Sequence, residues 1–132
     1  MDVKKLLESN RRIKEKLRVT LKEIKQMRSL AEKVAAASDN PSVGRRILEL
    51  DDRLSREYGE YAELQKASGT IVETLDNESE LIAVKSFYSL HETVDQIAEK
   101  MCYSKRHIAR LIKSGLDKLQ EKYKDVEIDG IE

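Results

Sequence analysis

The sequence predicts an all-α protein: a long antiparallel N-terminal helical hairpin followed by a small tri-helical domain. Three observations carry this. Charged residues make up 38% of the 132-residue chain and apolar residues 39%, while five Gly and one Pro leave little material for the turns of an all-β fold. Apolar residues recur at alternating spacings of three and four over much of the first 75 positions. Three capping signatures, at Asn77, Thr93 and Ser104, divide the last third into short helices. The expected segments are a coiled-coil hairpin over 1–75, a tri-helical domain over 76–124 and an acidic tail over 125–132.

The first helix is expected from about Val3 to Ala37, a stretch without Gly or Pro. Its seam runs through Leu6, Asn10, Ile13, Leu17, Thr20, Ile24, Met27, Ala31 and Val34, with Leu21 and Leu30 widening the stripe. Ser38-Asp39-Asn40-Pro41-Ser42 is the strongest breaker, because Asn before Pro disfavours helix and Gly44 follows closely. A second helix is expected from about Ser42 to Leu75, with its seam at Ile47, Leu50, Leu54, Tyr58, Tyr61, Leu64, Ile71 and Leu75 and a possible kink at Ser68-Gly69-Thr70. A short link between two long amphipathic helices implies antiparallel packing. Charge supports it: residues 1–46 carry a net +7 and residues 47–84 a net −7, so opposite blocks face each other.

Asn77, with Glu80 at the capping-box position, opens a helix to about Leu90 whose apolar residues are Leu81, Ile82, Val84, Phe87 and Tyr88. Thr93 with Gln96 repeats the pattern for Val94–Met101, and Ser104 caps a helix to about Tyr123. Ile97 and Ala98 face inward on the middle helix; Ile108, Leu111, Ile112, Leu116 and Leu119 do so on the last. Tyr103 is read as the apolar plug of the turn. Cys102 stands where a left-handed residue, usually Gly, is needed. Short links and a small residue at Ala98 are the layout of a helix-turn-helix domain.

The outward face of the last helix then reads Lys105, Arg106, Ala109, Arg110 and Lys113. From Ser104 to Lys124 the count is seven basic against two acidic residues, although the whole chain is neutral. Such a face fits a DNA major groove, where Arg can hold guanine O6 and N7 together. Free N–H groups in the helix's first turn favour a phosphate. Lys105, Arg106 and Arg110 are the expected base readers; Ser104, His107, Lys113, Lys118 and Lys122 suit the DNA backbone.

The stretch LIAVKSFYSLHETVDQIAEKMCYSKRHIARLIKSGLDKL, Leu81 to Leu119, resembles region 4 of the sigma-70 family. The features are the aromatic pair Phe87-Tyr88, DQIAEKM, Tyr103-Ser104, Ile108 and the closing LDKL. With a basic coiled-coil helix ahead of that domain, the chain is similar to phage and prophage sigma-like regulators, including late-gene transcription activators. The resemblance implies that the last helix reads promoter DNA through Lys105, Arg106 and Arg110, with His107 and Ala109 toward the backbone. Ala109 carries no charge to offer there. Sigma regions 1 to 3 have no counterpart, so promoter melting is not implied.

The expected role is therefore a sequence-specific, double-stranded-DNA-binding transcriptional regulator, a homodimer that could also touch RNA polymerase through its hairpin. A rival reading is the small subunit of a phage DNA-packaging terminase, and a third is a structural coiled-coil interaction protein. No enzyme, small-molecule substrate or cofactor is expected. His91 and His107 lack a ligand cluster. Asp51-Asp52 belongs to a solvated acidic face. No phosphate loop or nucleophile elbow occurs. The single Cys102 excludes an internal disulfide and a Cys-cluster zinc site and is read as a packing residue. No run of 18 apolar residues exists, so no membrane span is expected. The opening MDVKKLLESN lacks an apolar signal segment, so a cytoplasmic location is expected.

Overall fold

The computed structural model describes residues 1–33 and 41–126. The protein is all-helical over these residues. Its elements are α1 (Val3–Lys33), α2 (Pro41–Val72), α3 (Glu78–Tyr88), α4 (Val94–Met101) and α5 (Lys105–Tyr123). Most of the expected breaker, residues 34–37 and most of the acidic tail lie outside the described residues. The chain divides into two compact units, Met1–Arg11 with Glu63–Glu132, and Arg12–Ala62. Positions 1–11 and 63–75, expected in the hairpin segment, thus cluster with the three short helices.

In the unit Arg12–Ala62, α1 buries Ile13, Leu17, Thr20 and Ile24, and α2 buries Leu50. Three cross-helix pairings, Lys14 with Tyr61, Thr20 with Glu57 and Arg28 with Asp51, descend along α2 as they ascend along α1. Lys14 lies 5.4 Å from the centre of the Tyr61 ring. Thr20 Oγ1 donates to Glu57 at 2.7 Å, and Arg28 reaches both Asp51 oxygens at 3.1 Å. Arg46 of α2 holds Glu23 at 3.0 Å. The seam is narrower than its sequence pattern: Leu30 and Tyr58 are about half exposed. Two helices can close only one stripe, and residues at its edges stay in water.

The other unit draws on all five helices. Leu7, Val72, Val84, Ile97, Ile108 and Leu119 are among its fully buried side chains. The first turn of α1 is tied to the end of α5. Val3 N–H donates to Gln120 Oε1 at 2.8 Å, Gln120 Nε2 donates to the Met1 carbonyl at 2.8 Å, and the Met1 amine donates to the Tyr123 and Lys124 carbonyls. Cationic donors suit the carbonyl end of a helix.

Asn10 is fully buried in the α1 seam. Its Nδ2 donates to Gln65 Oε1 at 2.8 Å and to the Tyr88 carbonyl at 3.1 Å, while Gln65 Nε2 donates to the Ser89 carbonyl at 2.8 Å. Two amides thereby satisfy the carbonyls that end α3, groups a helix terminus otherwise leaves orphaned. Tyr88 donates its hydroxyl to Glu8, and Arg11 stacks 3.9 Å above the Phe87 ring. Burial first, then the charge and hydrogen bond of Glu8, push the Tyr88 phenol above its ordinary range.

Three details differ from the sequence reading, the first being that α2 ends at Val72 and not near Leu75, with Thr74 N–H and Leu75 N–H closing a turn on Ile71 and Val72. α3 stops at Tyr88, because Leu90 N–H closes back on Lys85 C=O and His91 turns left-handed (φ 57°). α2 passes through Ser68-Gly69-Thr70 without a break. There Ser68, Ile71 and Val72 are all buried, and their packing holds the helix where propensity alone favours a kink.

Candidate nucleic-acid interface

The candidate surface is α5, and its support begins at Thr93. Thr93 Oγ1 accepts from Gln96 N–H at 3.1 Å, while Gln96 Oε1 accepts from Thr93 N–H at 2.8 Å, a complete capping box. Nine residues later α4 is capped by Cys102, which is left-handed at φ 59° and ψ 38°. Tyr103 N–H reaches back to the Ala98 carbonyl at 3.0 Å and Cys102 N–H to Glu99 at 3.3 Å, closing α4 in a left-handed terminal turn. Ser104 then caps α5, its Oγ accepting from His107 N–H at 3.1 Å. Only residues 102–104 separate the two helices.

Ile97 and Ala98 on α4, and Ile108, Ile112 and Leu119 on α5, are buried. Leu111 is half-buried rather than fully inward. α5 also crosses α3 closely at Gly115. A Cβ there would stand 2.6 Å from Val84 Cγ2, so only Gly permits this approach. Opposite the buried stripe stand Lys105, Arg106, Ala109, Arg110 and Lys113, all exposed. Arg106, Arg110 and Lys113 have no ion pair or hydrogen bond among the described residues. Lys105 pairs with Asp95 at 3.1 Å, both side chains 70% exposed, a contact weak enough to exchange. Asp117 follows Lys113 on the same face and ends the positive ridge.

The residues assigned to the DNA backbone separate. Lys113 lies on the ridge. Ser104 keeps its hydroxyl proton for a further acceptor, since its oxygen serves the cap. His107 packs edge-on against Tyr103, centroids 4.5 Å apart, which draws the ring toward the protein. Tyr103 itself is 40% exposed and covers His107 instead of plugging the turn. Lys118 projects on the α3 side of α5, where its ammonium sits 2.6 Å from Glu80 Oε1 while its side chain stays 59% exposed. Lys122 is likewise engaged, donating to the Thr74 carbonyl.

Glu80 is the feature that sequence reasoning placed wrongly. Asn77 does cap α3, accepting from Glu80 N–H at 2.9 Å. The Glu80 side chain does not return to that cap. It is buried and accepts from Lys118 and from the Ser114 hydroxyl. Burial is the largest influence on its carboxyl and opposes ionisation, but the two hydrogen bonds and the Lys118 charge outweigh it and hold the group below the usual carboxylate range. Glu80 thereby locks the back of α5 to α3. Gly115 was missed as well; its signal was a glycine inside an otherwise strong helix pattern.

Among the described residues no cluster of His, Cys, Asp and Glu could hold a metal ion. No helix of these residues is long and apolar enough to cross a membrane. Compared with family models, curated proteins and solved structures, the chain matches none.

Proposed function

We propose that the protein is a sequence-specific DNA-binding regulator of transcription that lays α5 in the major groove. The observation that carries this reading is an unpaired cationic ridge, Arg106, Arg110 and Lys113, on the exposed side of a helix whose opposite side is held by a core. Arg106 and Arg110 read base edges and Lys105 joins them by releasing Asp95; Lys113 and Ser104 hold phosphates. The left-handed turn at Cys102 supports a helix-turn-helix built from α4 and α5. In this reading α3 to α5 form the sigma-region-4-like domain of a phage or prophage regulator. α1 and α2 form a hairpin that mediates dimerisation on two half-sites or contact with RNA polymerase.

Selection of bound duplexes from a randomised library, followed by titration of the selected site, tests the reading. An enriched motif is expected, with Arg106→Ala and Arg110→Ala each weakening the selected site by about 1–3 kcal/mol. An enriched motif bound equally well by the double variant removes α5 as the reading helix. No enrichment removes the function.

A further inference from the structure

α1 and α2 manage their charges differently. α1 carries 11 Lys/Arg against 4 Asp/Glu, whereas α2 carries 5 against 6. α2 interleaves its signs, with Arg46 on Glu49 and Arg56 on Asp52. On α1, Glu15 is taken by Arg18 and Glu23 by Arg46. Like Lys4, Lys5, Arg12 and Lys16 of the same helix, Lys22, Lys25 and Lys33 have no side-chain ion pair or hydrogen bond among the described residues. Together with Gln26, Ser29 and Leu30 they line one shallow hollow on α1. Their offsets of three, four, seven, eight and eleven from Lys22 put them on one face, away from buried Leu17, Thr20 and Ile24. Lys22 and Lys25 are like charges three residues apart, which weakens a helix by a few tenths of a kcal/mol, so helix stability alone does not favour this pair.

The hollow suits a polyanion. α2 of a second copy does not supply one, since it is nearly neutral and its Asp51, Asp52 and Glu49 already have partners. A bilayer surface needs a broad apolar stripe beside the lysines, and the apolar stripe of α1 is the one it buries. Duplex DNA presents a charge about every 1.7 Å, and Lys22 to Lys33 spans roughly 17 Å of helix. We propose that this face of α1 is a sequence-independent binding site for the phosphate backbone of duplex DNA, with Gln26 and Ser29 as neutral donors. It rests on the DNA-binding reading for the identity of the polyanion and adds a second contact region to it.

The test is fluorescence anisotropy of the full chain on a random-sequence duplex between roughly 50 and 200 mM salt. The combined variant Lys22→Gln, Lys25→Gln, Lys33→Gln should lower the slope of log K against log salt by about 2–3, near 0.9 for each lost phosphate contact. Lys→Arg at the same positions should restore the slope, and circular dichroism checks that the Gln variant keeps its helix. An unchanged slope in the folded Gln variant, with affinity for the selected site still lost in Arg106→Ala, Arg110→Ala, overturns this site and leaves the α5 reading intact. Absence of duplex binding by the unaltered protein at the lowest salt overturns both. Binding to phosphatidylserine vesicles that depends on the three lysines, with the DNA slope unchanged, also overturns the proposal.

Discussion

The unit formed by residues 1–11 with 63–126 and the unit Arg12–Ala62 bury their side chains on different scales. The first encloses Leu7, Val72, Val84, Ile97, Ile108 and Leu119 completely. The second closes one stripe, around Ile13, Leu17, Ile24 and Leu50, while Val19, Leu48 and Tyr58 stand about half exposed or more. The second unit has the longer stretches of helix and the thinner interior. Helix length is therefore no measure of core: two helices enclose residues such as Leu50 and Ile24 along one stripe, and a wider interior needs helices from several directions.

The sharpest way to break that contrast is to truncate one apolar side chain in each unit. Ile108→Ala should cost about 2–5 kcal/mol in urea unfolding, since it empties a fully buried position on α5. Leu48→Ala, at a side chain 70% exposed, should change stability by no more than about 0.5 kcal/mol. A comparable loss at both would mean that Leu48 is covered in solution.

A middle-sized effect belongs to Glu80. Glu80→Gln should cost about 1–3 kcal/mol at neutral pH, because it weakens bonds made at a buried group. The sign of the pH dependence follows from the lowered carboxyl. The unfolded chain binds the proton first, so this stabilisation is complete above the ordinary carboxylate range and disappears as pH falls through the folded value. Urea midpoints of the wild type and Glu80→Gln should therefore converge on acidification; a constant gap would assign the loss to packing.

The smallest effect concerns Cys102. Left-handed backbone costs a non-glycine residue about 1–2 kcal/mol, offset in part by the greater freedom of Gly in the unfolded chain. Cys102→Gly should raise stability by about 0.5 kcal/mol in the same assay. A loss would show that the thiol's contacts outweigh the strain.

Local signals in the sequence were the dependable ones. Asn77, Thr93 and Ser104 each cap the helix they announced, and Cys102 adopts the left-handed geometry its position demanded. These features depend on neighbours within a few residues. The exposed ridge was also legible, because residues 106, 109, 110 and 113 share a face on any helix. What escaped depends on distant partners. The destination of the Glu80 carboxylate required knowing that Ser114 and Lys118 come beside it. The role of Gly115 required knowing where Val84 passes, and Lys118 and Lys122 looked like any other cations near the end of a basic helix.

Asn10 has a consequence for alignment along the helix axis. A leucine in its place could pack equally well after a slide of one heptad, since apolar contacts barely distinguish one repeat from the next. An amide cannot. Displaced by seven positions, Asn10 would part from Gln65, and the carbonyl of Tyr88 would lose the donor that now meets it. The pair acts as an index mark: of the many ways two striped rods can be laid side by side, it singles out the one that also receives the end of α3.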